Sequence, residues 1–455
     1  MPEPDLKRQL GLFDSTMIMV GIVVGSGIFL STGIVASHIP SAGLILLAWL
    51  VGGLLTLGGA FTYAELGAAM PEAGGQYIYI QKAYGELPAF LFGWIFFFAY
   101  MTGGIATLAM AFTEYSARFL PFLSLDTVLI SAGPDPFSIS SGELLGIGGI
   151  VLFSLVNMLG VGLGKTVQNI LTLVKLGTIF AFIGLAFSIG ETRPVELFSV
   201  PADMGSGQLA VGFVVALVAV SWAFDGWNNI NFVAGEISNP QKNITLTLIF
   251  GTVLITAIYL AMNLVYLVSM PAGEMAGVYR IAEVSASALF ASKAAVIVSA
   301  AVLIAVAGSL NASILAGARV YYAMARDGLF FSRAARIHPR FKTPAFALFI
   351  QAVWSCVLIL SGNLEQIVTY TMFVAIVFWV VGAASLFTLR KKYPDMPRPY
   401  KTWGYPYVPI LFMAASSGIL VFTLIEAPFE ALLGLVLIVL GLPAYYYWKG
   451  ARNGK

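Results

Sequence analysis

The chain is poor in charge. Of its 455 residues only 10% are Asp, Glu, Lys or Arg, against 59% that are hydrophobic. A water-soluble domain carries about 25% charged residues, so a globule surrounded by water on every side is excluded. Cysteine is nearly absent: Cys356 stands alone in an apolar run, which excludes an intramolecular disulfide. With two histidines in the whole chain, no Cys/His pattern at metal-ligand spacing exists, and no metal or other cofactor is expected. A long polar linker is also missing, so a single domain over residues 1–455 is expected. Residues 1–13 are polar and no short apolar core with a cleavage site follows, so the first apolar run is expected to act as the targeting signal.

What is present is a succession of apolar runs of about 20 residues, each long enough to span a bilayer. Twelve are counted, at about 14–37, 43–69, 84–119, 143–160, 166–189, 210–234, 245–270, 291–325, 344–361, 365–389, 406–425 and 429–448. The expected class is an all-α polytopic membrane protein of twelve transmembrane helices. An even count puts both termini on one side. Lys and Arg divide 19 to 4 in favour of that side, with Lys175 left over, so the termini are expected in the cytoplasm of a cell-membrane protein. The formal net charge of +2 follows this bias and implies no nucleic acid. The basic segment 326–343 reads as part of the same signal, with membrane lipid as its neighbour. Loops 120–142 and 190–209 read as ordinary exposed connections.

Two of the runs are interrupted near their middle. Val24-Gly25-Ser26-Gly27 breaks the first, and Trp222-Ala223-Phe224-Asp225-Gly226 followed by Trp227-Asn228-Asn229 breaks the sixth. Glycine costs about 1 kcal/mol relative to alanine in a helix interior. In hydrocarbon, a break survives where the freed backbone groups line a cavity. A glycine pair alone reads more simply as close helix packing. The sixth run, however, opens a second group of five, which enters the membrane from the opposite side. Paired interruptions in two inverted halves point to a secondary transporter's binding site. The repeats are placed at about 14–189 and 210–389, with two extra helices at 406–448. A broken helix leaves N–H groups at one new end and C=O groups at the other. The first end attracts a carboxylate and the second an ammonium. An α-amino acid carries both, so Gly25, Ser26 and Gly27 are expected to face its carboxylate and the carbonyls of Trp222, Ala223 and Phe224 its ammonium. Val24 and Asn228 complete the expected binding set.

Lys175 lies about ten residues, roughly 15 Å, from Lys165, near the bilayer midplane. An ionisable group at that depth is a functional candidate by default, the alternative being an interhelical pair that only fixes packing. Asp225 has two readings: N-cap of the second half-helix, or counter-charge to a substrate ammonium or to Lys175. Trp222 and Trp227 flank it. Ser309 and Asn311 are polar groups on the eighth run, Tyr259 and Tyr266 share a face of the seventh, and Glu65 reads as an ion pair at one end of the second.

Several of these segments together resemble the amino acid–polyamine–organocation superfamily. Within it, the chain is similar to the L-type amino acid transporter branch and to bacterial serine/threonine and alanine/serine/cysteine exchangers. The matching segments are Gly25-Ser26-Gly27-Ile28-Phe29; Pro71-Glu72-Ala73-Gly74-Gly75-Gln76-Tyr77 with Tyr84-Gly85-Glu86; Ala223-Phe224-Asp225-Gly226-Trp227-Asn228 with Gly235-Glu236-Ile237-Ser238-Asn239-Pro240; and Ser309-Leu310-Asn311 with Arg319 and Ala325-Arg326-Asp327-Gly328. The resemblance implies a five-plus-five inverted-repeat core with discontinuous helices one and six. It implies sodium-independent exchange of neutral L-amino acids by alternating access, with no enzymatic step. Lys175 matches a fifth-helix lysine that stands in for sodium, Ser309 its partner, Trp222 the gating aromatic, and Tyr259 a tyrosine of the coupling machinery. Where phenylalanine is usual at the gate, this chain has Trp222, which alters the pocket. Relatives of this branch that pair with a glycoprotein use a cysteine in the loop after the third helix. Loop 120–142 has none, so a stand-alone monomer or weak homo-oligomer without a heavy chain is expected.

The reading is an exchanger of small neutral amino acids. One rival keeps the fold and uses Asp225 for a cationic amino acid or polyamine, driven by protons. Another is a channel or a non-transporting sensor, against which two interrupted helices argue.

Overall fold

The computed structural model describes residues 6–132, 137–197, 199–200, 204–291, 293–361 and 364–453. Its first apolar run is two helices, α1 (Leu12–Val23) and α2 (Gly27–His38), bent by 40° at the break between them. There follow α3 (Ala42–Ala69), α4 (Gln76–Tyr84), α5 (Glu86–Ile95) and, after a π-helical turn over Phe96–Tyr100, α6 (Met101–Ser116). A two-stranded antiparallel hairpin, β1 (Val128–Ala132) and β2 (Phe137–Ser140), leads to α7 (Ser141–Met158) and α8 (Val161–Ile189). The second half comprises α9 (Ser206–Phe224), a 3-10 segment at Asn229–Glu236, α10 (Pro240–Ser269), α11 (Ile281–Phe290), α12 (Lys293–Arg326), α13 (Ala345–Leu360) and α14 (Leu364–Lys392). The chain ends in α15 (Tyr407–Glu426) and α16 (Pro428–Asn453).

Among the described residues ten helices are long and apolar enough to cross a membrane, eleven with the bent pair. The remaining expected span, 344–361, is α13, whose 16 residues make it shorter than the rest. The fold is therefore helical and polytopic, as its hydropathy implies. Loop 120–142, expected as a plain connection, instead carries the β1–β2 hairpin, which hands over to α7 through a capping box between Ser140 and Glu143. The connection before α12 likewise contains α11, too short to read as a span.

Close packing around α3 explains several glycines. A Cβ on Gly53 of α3 would stand 2.4 Å from Cγ2 of Thr256 on α10, and one on Gly59 would stand 2.8 Å from the Trp227 ring. Without these side chains, α3 lies flush against α10 and the second break, as small residues permit in membrane bundles. Trp227 is buried among Tyr63, Trp379 and Phe412, so it is core and not a gate.

The first and last described segments lie at one end of the bundle. Gln9 and Leu10 N–H groups donate to the Glu236 carbonyl, and Leu10 pairs in parallel with Ile237. Arg452 near the C-terminus holds Glu86 at 2.9 and 3.0 Å and the Asp327 carbonyl at 3.0 Å. Asp327 and the N-terminal Leu6 and Arg8 line the same surface cleft. Two buried carboxylates secure this end. Glu236 makes a bidentate pair with Arg319, both at most 1% exposed, at 2.6 and 3.1 Å. Glu65 receives Arg390 at 2.6 Å, Arg398 at 3.4 Å and the Thr402 N–H at 2.6 Å, which realises the ion pair expected of it.

Candidate substrate site

The two breaks meet. Helix α1 ends where Val24 leaves helical geometry with ψ 71°, and α9 ends at Asp225, extended at ψ 148° and followed by Gly226 at φ +90°. Gly226 has that left-handed conformation, which disfavours a side chain, and a Cβ there would also stand 2.3 Å from Ile22 Cγ2. A Cβ on Gly25 would approach Ser309 Oγ to 3.1 Å. Close packing thus accounts for both glycines: Gly226 lets the second break touch α1, and Gly25 lets the first lie against Ser309 of α12.

The dipole ends are arranged around one cavity. Among the described residues none accepts a hydrogen bond from the N–H of Ser26, Gly27 or Ile28, the open N-terminus of α2. Gly25, expected among these donors, gives its N–H to the Val23 carbonyl at 2.8 Å. On the facing break, the Trp222 carbonyl accepts from Asp225 N–H at 3.1 Å and the Ala223 carbonyl accepts from the Tyr259 hydroxyl at 2.8 Å. Each carbonyl keeps a second lone pair. The cavity, of about 60 Å³, is lined by Gly25, Ser26, Gly27, Trp222, Ala223 and Asp225. Of the remaining expected contacts, Val24 is fully buried, and Phe224 packs its ring on Trp49 and Tyr259. Asn228 turns away, its amide donating to the Gln76 side chain at 3.0 Å.

Four side chains hold the breaks in place. Lys175, fully buried on α8, donates to the Gly21 carbonyl at 2.9 Å and to Ser309 Oγ at 3.2 Å. Ser309 in turn lies 2.7 Å from the same carbonyl. That carbonyl lies in the last turn of α1, where a positive charge is favoured. The Tyr259 hydroxyl stands 2.8 Å from both the Val23 and Ala223 carbonyls, bridging the two breaks, and Tyr266 reaches the Ile28 carbonyl at 3.3 Å. Asp225 does not meet Lys175. Its carboxylate accepts from the Tyr100 hydroxyl at 2.8 Å.

The wall opposite the breaks was not foreseen. Tyr100, Met101, Gly104 and Leu108 line the cavity from one side of the third span, and Asn229 and Ser313 add polar groups. Met101, Gly104 and Leu108 recur at helical spacing, a signal the sequence did carry. The π-turn that swings Tyr100 toward Asp225 left none, because Phe96-Phe97-Phe98-Ala99-Tyr100 reads as ordinary apolar helix. Such turns often sit at functional sites.

Comparison with known proteins places the chain in a family. The family model described as amino acid permease matches residues 10–439. The chain is 30% identical to the serine/threonine exchanger SteT of Bacillus subtilis over 98% of its own length and 97% of that protein's. It is 30% identical to the human b(0,+)-type amino acid transporter 1, covering 99% and 89% of the two chains. The rat large neutral amino acids transporter small subunit 2 is 30% identical as well, over 98% and 82%. A polytopic bundle whose paired helix breaks enclose a cavity, matched over nearly its whole length, belongs to the amino acid permease family of the amino acid–polyamine–organocation superfamily and is a transporter rather than an enzyme.

Proposed function

We propose that the cavity between the two breaks binds an α-amino acid, and that the protein exchanges small neutral L-amino acids by alternating access without sodium. The observation that carries this is the open N-terminus of α2 at Ser26 and Gly27, across the cavity from the carbonyl end of α9. The first suits the carboxylate and the second the ammonium. Lys175 occupies the position between α8, α12 and the end of α1 where a cation would neutralise the α1 carbonyls, so none need be bound from solution. Trp222 borders the cavity from the α9 side and acts as its gate. The names of the relatives, an exchanger among them, support exchange. The Lys/Arg bias supports cytoplasmic termini in a cell membrane, and the lack of cysteine in loop 120–142 supports function without a disulfide-linked partner.

Counterflow in proteoliposomes tests the reading. Unlabelled alanine or serine inside should accelerate uptake of labelled alanine; uptake indifferent to internal substrate would point to a channel. One observation favours a second reading. Asp225 puts a carboxylate on the cavity wall, its hydrogen bond to Tyr100 notwithstanding, and a cationic side chain could meet it there. Strong competition by arginine or putrescine with none by alanine would replace the first reading with this one.

A further inference from the structure

One face of α8 grips α1 along its length, and Lys175 is only the last of its contacts. Gln168, Thr172 and Lys175 follow at helical spacing and are all fully buried. The Thr172 hydroxyl donates to the Met17 carbonyl at 3.0 Å, one turn before the Gly21 carbonyl that Lys175 takes. A side chain on Gly21 would fall 1.9 Å from Gln168 Nε2 and 2.8 Å from Thr172 Oγ1, so the glycine is what admits these polar groups to the α1 backbone.

Thr172 is not free to turn. Gln168 Nε2 donates to its oxygen at 2.9 Å, which commits the hydroxyl hydrogen to Met17. Gln168 is oriented by Asn311 of α12, whose amide donates to Gln168 Oε1 at 2.9 Å. Asn311 is oriented in the same way by Asn157 of α7, at 2.9 Å. Every donor in this series points toward α1, through a region less than 3% exposed to solvent. In a low-dielectric interior such directed chains reinforce their members.

We propose that Thr172 is a latch that sets how readily α1 leaves α8 when the cavity opens toward the end bearing the termini, and that Gln168 and Asn311 are positioning residues that hold its hydroxyl on Met17. The inference rests on the alternating-access reading above. Helices α7, α8 and α12 form the stationary side, and the carbonyls of Met17 and Gly21 are points at which α1 is released, beyond its Asp14 side chain, which Lys165 and Asn169 of α8 hold at 3.0 and 2.7 Å.

The test is labelling that needs no substrate. In a Cys356→Ser background, Ser15→Cys places a thiol on α1 at a fully buried position whose hydroxyl has no partner. A membrane-impermeant maleimide applied from the side of the termini then reports separation of α1 from the bundle. Thr172→Val should raise the labelling rate about three-fold or more, the effect of one membrane-buried hydrogen bond. Thr172→Ser should restore the parental rate. Gln168→Leu, which removes the orienting donor but leaves the hydroxyl, should label at an intermediate or higher rate. Parental labelling in both Thr172→Val and Gln168→Leu overturns the latch, as does a Thr172→Ser rate equal to that of Thr172→Val. If Thr172→Val does not fold, the Gln168→Leu and Thr172→Ser comparison decides. A different substrate class would change none of these rates, so failure of the latch and failure of the substrate reading are separable.

Discussion

Gly27 of the first break lies against Ala223 of the second so closely that a Cβ on the glycine would stand 2.6 Å from the alanine Cα and 2.9 Å from its Cβ. Backbone atoms cannot turn aside as a flexible side chain can. Gly27→Ala must therefore push the two breaks apart, with a cost of about 1–3 kcal/mol typical of overpacking. Exchange in proteoliposomes should fall by about ten-fold or more, whereas Gly148→Ala on α7, where a Cβ meets nothing within 4 Å, should exchange normally.

Tyr259 joins the same two breaks through its hydroxyl, which touches the carbonyls of Val23 and Ala223. Tyr259→Phe keeps the ring packed on Trp49 and Phe224 while removing the bridge. A net loss of about 1 kcal/mol is expected, visible as a roughly five-fold weaker half-saturation with little change in detergent melting temperature.

Lys175 is bonded to Gly21 and Ser309 and does not line the cavity. Lys175→Ala should for that reason slow the maximal rate of exchange more than it weakens substrate binding. Normal exchange by the variant at saturating substrate would remove the lysine from the mechanism.

Gly104 faces the cavity from α6, and a Cβ there meets nothing within 4 Å. A methyl group there would enter the cavity without touching its walls, and a larger side chain would fill it. Gly104→Leu should fold and retain alanine or glycine while losing larger substrates; a competition panel across the amino acids, compared with the parent, measures the shift.

Much of this could be seen in the residues themselves. The helical class, the two breaks and the lysine all follow from hydropathy and from the cost of glycine and charge in hydrocarbon. The register of the donors did not follow, since which N–H groups remain open depends on whether Gly25 turns back on Val23 or continues the helix. Asn228 illustrates another limit. A polar residue after a break is a natural ligand, yet Gln76, more than 150 residues earlier in the chain, captures its amide. The wall formed by Tyr100, Met101 and Gly104 was hidden for a related reason: its residues are apolar or small and become a site only by facing the breaks.

The pairing of Leu10 with Ile237 joins the segment before the first broken helix to the segment after the second. Three backbone hydrogen bonds, from Gln9 and Leu10 to Glu236 and from Ser238 to Leu10, make that join, while Arg319 of α12 anchors Glu236 from behind. A swing of α1 must either carry residues 236–238 along or peel these bonds apart one after another. The two broken helices are therefore tied to each other twice, once where the breaks meet and once by backbone alone beyond the start of α1, and Arg319 binds that second tie to α12.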